Sequence, residues 1–337
     1  MRPRRSTPAL DTGEPPEVEL DDITTILGGS AVLHRLRLHV PAGKVTVLMG
    51  PSGVGKTTMI KHVLGLLEPD AGTVRIDGRD VWDASPEEWQ RIHRRQGAML
   101  GGHTLYTTSV FASMTALENL TYTLHALGVP ESQRRERAMA RLREVHLADQ
   151  ADRLPEQLPS HAAKRLALAR ALVADAPLTI LDEIDIGLDS EHQPAMLAAV
   201  RSLRERTGCT LLITTHTLEL ARTLADHLAI LVNGRIVAAG PPEEILAGVE
   251  TTEDFDRRFE FSEFVGPPRL EDAEAAALQR RHRPPGAGPE SLQHPPARPA
   301  DRPMNLRQVW VAVLVVLLVI AAVLALKVYT SGSFVLF

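Results

Sequence analysis

Three glycines, a lysine and a threonine stand at fixed spacing between Gly50 and Thr57. The segment reads GPSGVGKT, follows the apolar run VTVLM and precedes a helical pattern. Glycines let backbone N–H groups turn toward phosphate oxygens, and the positive end of the following helix adds to that field. Lys56 would reach the β- and γ-phosphates, and the Thr57 hydroxyl would ligate Mg²⁺. The predicted ATP-binding residues are Gly50, Pro51, Ser52, Gly53, Val54, Gly55, Lys56, Thr57 and Thr58.

Two further apolar runs end in residues that can act on a bound triphosphate. PLTIL is followed by Asp182, which would hold Mg²⁺, and by Glu183, which would polarise the attacking water. An Asp-Glu pair after a strand is usually only the solvent-exposed end of that strand. A P-loop upstream in the same chain favours the roles of metal ligand and catalytic base. TLLITT ends at His216, which could touch the γ-phosphate. A lone strand-end histidine is more often structural, so that assignment depends on the others. Glu183, His216 and Lys56 are the predicted catalytic residues.

Each of these residues follows a short, mainly apolar run, which predicts a buried strand before each of them. The chain has 337 residues, of which 44% are apolar, enough for one large domain or two modest ones. A net charge of -5 gives no argument for a nucleic-acid partner. The single cysteine, Cys209, excludes a disulfide framework.

The two ends of the chain differ in composition from its centre. Residues 1–16 carry charge and proline without an apolar core, which predicts a disordered tail. Residues 266–305 are rich in proline and alanine and predict a linker. Val309–Leu326 contains 18 residues without charge or proline. At about 1.5 Å per residue it would cross a bilayer. A transmembrane helix at 306–327 is predicted, with 328–337 outside the cytoplasm, because arginines precede the span.

The order and spacing of these motifs resemble an ABC-type ATPase over Val18 to Ala247. The motifs LMGPSGVGKTTMIKHVLGLLEPDAGTVRIDGRDV, RRQGAML and EDFDRRFEF look most similar to the lipid-transport ATPases of the Mla/Mce group. The resemblance implies an α/β fold with a P-loop (RecA-like) core, an antiparallel β subdomain and a helical subdomain. It implies a cassette at 17–247, a C-terminal extension at 248–265, and a D-loop containing Asp189. Two cassettes would dimerise head to tail, each completing the ATP site of the other.

The segment before the helix expected near Ala163 departs from the family. There, Leu-Ser-Gly-Gly-Gln places N–H groups on the γ-phosphate held by the partner subunit. The corresponding residues here are Leu158, Pro159, Ser160, His161 and Ala162. Proline has no N–H to donate, and histidine adds bulk where backbone must approach phosphate, although Ser160 could still cap the helix. Losing one such donor costs about 3 kcal/mol in the transition state. We therefore expect a degenerate signature at Pro159, Ser160 and His161.

Two other family residues are missing. The glutamine expected near position 102 is replaced by Gly101-Gly102-His103, and in the family it touches Mg²⁺ and reports nucleotide state to the membrane subunit. The aromatic residue that stacks on adenine should fall near Thr25, where none is present. Its loss removes about 1 kcal/mol of stacking.

The residues that act in cis on bound ATP are present, and those that act in trans are lost. This asymmetry favours a heterodimer with a second, intact ABC ATPase. The alternative is a weakly active homodimer. The first function hypothesis is an ATP-hydrolysing subunit that powers a membrane permease for lipids or other hydrophobic substrates. The alternative is a nucleotide-binding regulatory or assembly subunit with weak catalysis. Both place the cassette on the cytoplasmic side of the cell membrane, held by its own C-terminal helix.

Overall fold

The computed structural model describes residues 13–101, 109–185, 193–261 and residue 266. The chain divides into units Met1–His282 and Arg283–Phe337, and every described residue lies in the first. The strands of this unit are β1 (Val18–Leu27), β2 (Ser30–Val40), β3 (Val45–Met49), β4 (Ala71–Ile76), β5 (Arg79–Asp80), β6 (Gln96–Met99), β7 (Leu178–Leu181), β8 (Thr210–Thr215), β9 (His227–Val232) and β10 (Arg235–Gly240).

A six-stranded sheet in the order β10-β9-β3-β8-β7-β6 forms the centre of the unit. All its neighbouring pairs are parallel except β9 with β10. Every residue of β3, β7 and β8 is buried, which explains why these strands are continuous apolar runs rather than alternating ones. Because these strands are parallel, their carboxyl ends meet at one edge of the sheet.

A second, antiparallel sheet has the order β2-β1-β4-β5. Its long hairpin, β1 with β2, contains register shifts between Leu20 and Ile26. The apolar faces of both sheets enclose helix α1 (Lys56–Val63) in one core cluster. The chain is already attached to this unit at Pro16, whose carbonyl accepts a hydrogen bond of 2.6 Å from Thr210 Oγ1.

The helices pack on the central sheet and form a separate helical part. They are α1, α2 (Pro86–Arg94), α3 (Ala116–Ala126), α4 (Glu131–Glu144), α5 (Ser160–Leu172), α6 (Gln193–Thr207), α7 (Leu218–Leu224), α8 (Pro242–Ile245) and α9 (Thr252–Phe259). α3 begins with a capping box in which Thr115 and Glu118 satisfy each other's backbone N–H groups. The predicted P-loop core, antiparallel sheet and helical part are therefore confirmed.

Buried arginines fix α5 against the helical part. Arg165 donates to the carbonyls of Val145 and His146 at 2.9 and 3.1 Å. Arg141 on α4 donates to Glu144 at 2.6 Å and to Asp175, beyond the end of α5, at 2.7 Å. Charge-assisted bonds of this length are stronger than neutral ones, so α5 has a defined position relative to the sheet.

The described chain closes with α9, which packs on the larger core cluster through the buried side chain of Phe255. Among the described residues no helix has the length and apolarity that a membrane crossing requires. The span predicted at Val309–Leu326 lies outside the described residues, as do residues 267–305 of the predicted linker and the residues after the span.

Candidate functional site

The loop between β3 and α1, together with the first turn of α1, contains all the predicted ATP-binding residues. Gly55 precedes α1 with φ 109°, and a Cβ there would meet Leu33 Cδ2 at 2.8 Å. A Cβ on Gly50 would meet the carbonyl oxygen of Leu231 at 2.5 Å. Both positions therefore require glycine. Lys56 Nζ donates to the carbonyls of Gly50 and Pro51 at 2.8 and 2.9 Å, so the ammonium group lies within the loop.

Burial lowers the pKa of Lys56 to about 8, although the carboxylates of Glu183, Asp182 and Asp185 oppose the shift. The ammonium form is the one that attracts phosphate. The positive charge of Lys56, which would attract a triphosphate, is therefore present below about pH 8 and is lost above it.

We expect ATP affinity to fall by roughly 25-fold between pH 7.5 and 9.5, the change in the charged fraction of a lysine with a pKa of about 8. Bound phosphate stabilises charged Lys56, so binding at high pH must first protonate the lysine. Titration of the chain with ATP in EDTA would measure this without a competing cation. The variant Lys56→Arg keeps its charge over the whole range, and its affinity should be flat. An equally steep fall in that variant would contradict the assignment to Lys56.

Asp182 lies fully buried beside the P-loop, at the end of β7. Its Oδ2 accepts a hydrogen bond of 2.8 Å from Thr57 Oγ1, and its Oδ1 accepts one of 2.7 Å from Thr214 Oγ1. The predicted metal-binding pair, Thr57 on α1 and Asp182 directly after β7, is thus brought into direct contact. Thr214 was not predicted. β8 contains three threonines, Thr210, Thr214 and Thr215, and the sequence alone does not distinguish Thr214 from the other two.

Glu183 occupies a turn in which its backbone has φ 52°, a conformation that costs a non-glycine residue about 1 kcal/mol or more. Its N–H donates to Thr214 Oγ1 at 2.7 Å, and its carbonyl accepts from Lys164 Nζ on α5. Gly101 lies directly against this turn, where a Cβ would meet Glu183 Cβ at 2.8 Å. Neither Lys164 nor Gly101 was predicted. Lys164 is one of three basic residues on α5, with Arg165 and Arg170, so its type alone gave no signal.

His216 follows β8 and turns its ring toward the same turn. Its Nε2 lies 3.9 Å from Glu183 Oε1, and within the described part of the chain this buried nitrogen has no hydrogen-bond partner. Burial and the charge of Lys56 lower the pKa of His216, so the ring is neutral at pH 7. A neutral imidazole can donate one hydrogen bond to a phosphate oxygen.

Asp185, which was not predicted, fixes the backbone around His216. Its Oδ2 accepts from Thr215 Oγ1 at 2.7 Å, from Thr217 Oγ1 at 2.6 Å and from the N–H of His216 at 3.2 Å. Burial opposes the charged form of Asp185, but these hydrogen bonds outweigh it and lower the pKa of the carboxyl. The loop carrying His216 is thereby tied to the segment carrying Glu183.

The predicted signature segment forms the exposed start of α5. The helix begins at Ser160, three residues earlier than expected, with Pro159 as its N-cap. The idea that Ser160 caps the helix is wrong, because Ser160 is the first helical residue and no side chain caps this end. Pro159 and Ser160 are exposed, and no acidic residue lies in the first turn. This end therefore keeps the dipole of a 13-residue helix but lacks the N–H of residue 159.

Three other predicted positions have different outcomes. Asp189 and Gly102 lie outside the described residues. Thr25, near which the resemblance places the base-stacking position, is buried, and its hydroxyl is hydrogen-bonded to His62 Nε2 at 2.7 Å. Leu27, which is 45% exposed, is the apolar side chain that this hairpin offers to solvent.

The fold and the site define a P-loop nucleotide-binding ATPase, with its phosphate loop, buried aspartate and adjacent glutamate at one edge of a parallel sheet. The family model described as "ABC transporter" matches residues 33–185. The methionine import ATP-binding protein MetN of Brucella abortus is 30% identical over 253 residues, covering 74% of this chain and 67% of that protein. The chain belongs to the ATP-binding subunits of ABC transporters. It is accordingly an ATP-binding and ATP-hydrolysing subunit of a kind that dimerises and works with membrane permease subunits.

Other similar proteins agree with this assignment. The "Probable ribonucleotide transport ATP-binding protein mkl" of Mycobacterium leprae is 30% identical over 305 residues, covering 86% of each chain. A solved dimeric structure of a bacterial ABC transporter cassette has TM-score 0.61 and 27% identity, covering 67% of this chain and 98% of that one. A solved ATP-binding subunit of an ABC transporter has TM-score 0.60 and 25% identity, covering 78% and 98%.

Proposed function

We propose that this chain hydrolyses ATP with Glu183 as the base and so powers a permease for lipids or another hydrophobic substrate. The observation that carries the proposal is the convergence of Lys56, Asp182 and Glu183 at one sheet edge, with Asp182 hydrogen-bonded to Thr57. These groups supply a phosphate-binding cation, hard oxygen ligands and a proton acceptor, which together suffice for attack of water on a phosphoryl group.

The donor set at Thr57 and Asp182 fits Mg²⁺. A hydroxyl oxygen and a buried carboxylate oxygen lie 2.8 Å apart, and Mg²⁺ prefers such oxygen ligands together with phosphate. When bound, the ion would neutralise charge on the phosphates. Thr214 orients Asp182 from the other side, so the carboxylate is already directed at Thr57.

Each residue of the site has a distinct task in this proposal. The N–H groups of the P-loop and the Lys56 ammonium bind the phosphates. The Glu183 carboxylate orients a water and accepts its proton. Neutral His216 donates a hydrogen bond to the γ-phosphate and keeps the nucleophile in line. Asp185 holds the His216 backbone through three hydrogen bonds.

The start of α5 would face the nucleotide of the other subunit in a head-to-tail dimer. Pro159 offers no N–H there, and His161 adds bulk, which supports pairing with a second cassette whose signature is intact. One competent and one degenerate ATP site would result. The same feature supports the alternative of a weakly hydrolysing regulatory subunit.

ATPase measurements on the purified chain, with and without its permease and a second cassette, separate the ATP-hydrolysing subunit from the regulatory one. Turnover that stays at background in the complete assembly would contradict the proposed function.

If the chain can form a homodimer, rebuilding the signature should raise the ATPase rate of the chain alone, by about tenfold to a hundredfold. The variant combines Pro159→Ser, Ser160→Gly and His161→Gly, which returns the missing N–H and removes the imidazole. Pro159→Ala is the matched control, since it restores only the N–H, and a smaller gain is expected. An unchanged rate in the triple variant would contradict a homodimer and favour obligate pairing with a different cassette.

The lipid-group assignment is supported only by sequence motifs such as RRQGAML and EDFDRRFEF. The similar proteins named above carry other cargo in their names, methionine and ribonucleotides. Reconstitution of the chain with its permease in liposomes, assayed with labelled lipid, methionine and ribonucleotide, would decide among them. Transport of either polar solute without lipid transport would contradict the hydrophobic-substrate proposal.

We further propose that Val309–Leu326 anchors the chain to the membrane, with residues 266–305 as a tether. A flexible linker of about 40 residues spans roughly 35 Å and would keep the cassette concentrated near a permease. Deletion of residues 305–337 should release the cassette from membranes in cells that lack the permease, as cell fractionation would show. A full-length chain that is soluble in those cells would contradict the anchor.

A further inference from the structure

Lys164 is a buried lysine on α5 whose side chain reaches the turn that carries Glu183. The residue is 6% exposed, and its ammonium group donates to the backbone carbonyl of Glu183. Lysine is almost never so buried unless it is paired. The side chain therefore has a specific task at this turn.

The Glu183 peptide is held from both sides. Thr214 on β8 accepts its N–H at 2.7 Å, and Lys164 on α5 donates to its C=O. Between these bonds the residue adopts φ 52°, which a glutamate avoids unless its surroundings impose it. Gly101 supplies the remaining constraint, because its lack of a side chain leaves room for Glu183 Cβ. Removing one of the two bonds would let the turn relax and redirect the carboxylate.

The charge of Lys164 also acts on the carboxylates of the site. The negative charges of Asp185, Glu183 and Asp182 favour its ammonium form, in decreasing order. Burial opposes that form and lowers the pKa of Lys164 to about 8. An apolar side chain at this position would leave three acidic groups facing each other with one cation fewer, and like charges at short range repel.

We propose that Lys164 is a positioning residue, which holds Glu183 in its hydrolytic orientation and ties that orientation to helix α5. This inference rests on the proposed role of Glu183. The consequence is a physical link within one subunit, since α5 begins at the exposed Ser160, directly after Pro159, and its Lys164 contacts the turn of Glu183. A displacement of the start of α5 would therefore also move the turn that carries Glu183.

The test compares Lys164→Met and Lys164→Arg with the wild-type full-length chain in its assembled complex. In Lys164→Met we expect kcat to fall at least tenfold while ATP affinity stays within threefold. Lys164→Arg keeps a donor and a charge, and should recover kcat to within about fivefold of wild type. Lys44→Met removes an exposed lysine and is the control for the lost charge. A wild-type kcat in Lys164→Met would overturn the inference.

A second measurement does not depend on turnover. Hydrogen exchange of the peptide covering residues 181–185 should be at least fivefold faster in Lys164→Met, and unchanged in Lys44→Met, because the Glu183 and Ile184 amides lose their fixed geometry. Unchanged exchange would overturn the inference even where the variant folds poorly elsewhere. Absence of wild-type turnover would instead overturn the proposed function, and exchange would still decide the role of Lys164.

Discussion

Lys56→Ala should reduce ATP affinity at least a hundredfold. The substitution removes the ammonium group that lies within the P-loop, together with its bonds to the carbonyls of Gly50 and Pro51. Charge-assisted bonds to phosphate are the strongest polar contacts available to this site, and nothing in the described loop replaces the lost cation. Binding of a fluorescent ATP analogue, or calorimetric titration with ATP, measures the effect directly.

Lys61→Ala is the matched control for that substitution. Lys61 lies on the same helix, five residues later, and its side chain makes none of the P-loop contacts. Its loss changes net charge equally, so affinity should stay within twofold of wild type. If Lys56→Ala also bound ATP within threefold of wild type, the P-loop would not be the nucleotide site.

Local sequence was sufficient to predict those parts of the site that lie within one continuous segment. The P-loop could be predicted because strand, glycine loop and helix follow one another within about 20 residues, and Gly50 and Gly55 have no alternative residue type. Asp182 and Glu183 could be predicted because their role depends only on following a buried strand next to that loop. These three features account for the position of the site.

The residues that orient the site could not be predicted, because they come from other elements. Lys164 reaches Glu183 from α5, and Asp185 reaches across to β8. A lysine or an aspartate in a sequence gives no indication whether its side chain is buried and hydrogen-bonded or exposed to solvent. Only packing of α5 on the sheet, fixed partly by Arg165, brings these groups together.

The burial of Thr25 likewise could not be predicted from local sequence. The β1–β2 hairpin contains three register shifts between Leu20 and Ile26, so the alternation of inward and outward side chains does not run unbroken along β1. A period of two, counted from either end, then assigns the wrong face to residues beyond a shift. Thr25 is consequently buried against His62, and Leu27 is exposed.

The last expected result concerns the base. Glu183→Gln should leave ATP affinity within threefold of wild type and reduce turnover at least a hundredfold, the scale on which general bases act. Glutamine is nearly the same size, and the turn is held through the backbone N–H and C=O of Glu183, which bond to the side chains of Thr214 and Lys164. The side chain should therefore occupy the same place without its charge. Steady-state ATPase and equilibrium nucleotide binding, measured on the same preparation, separate the two quantities.

Glu219→Gln is the control, because Glu219 is an exposed carboxylate on α7 three residues beyond His216. Its removal should leave both quantities unchanged. Full turnover in Glu183→Gln would exclude Glu183 as the base, and the proton would then have to leave with the phosphate itself. A loss of both binding and turnover would instead show that the charge of Glu183 supports the fold around Lys56, whose ammonium form it favours. Unchanged ATP affinity together with abolished hydrolysis is therefore the result that identifies Glu183 as the general base.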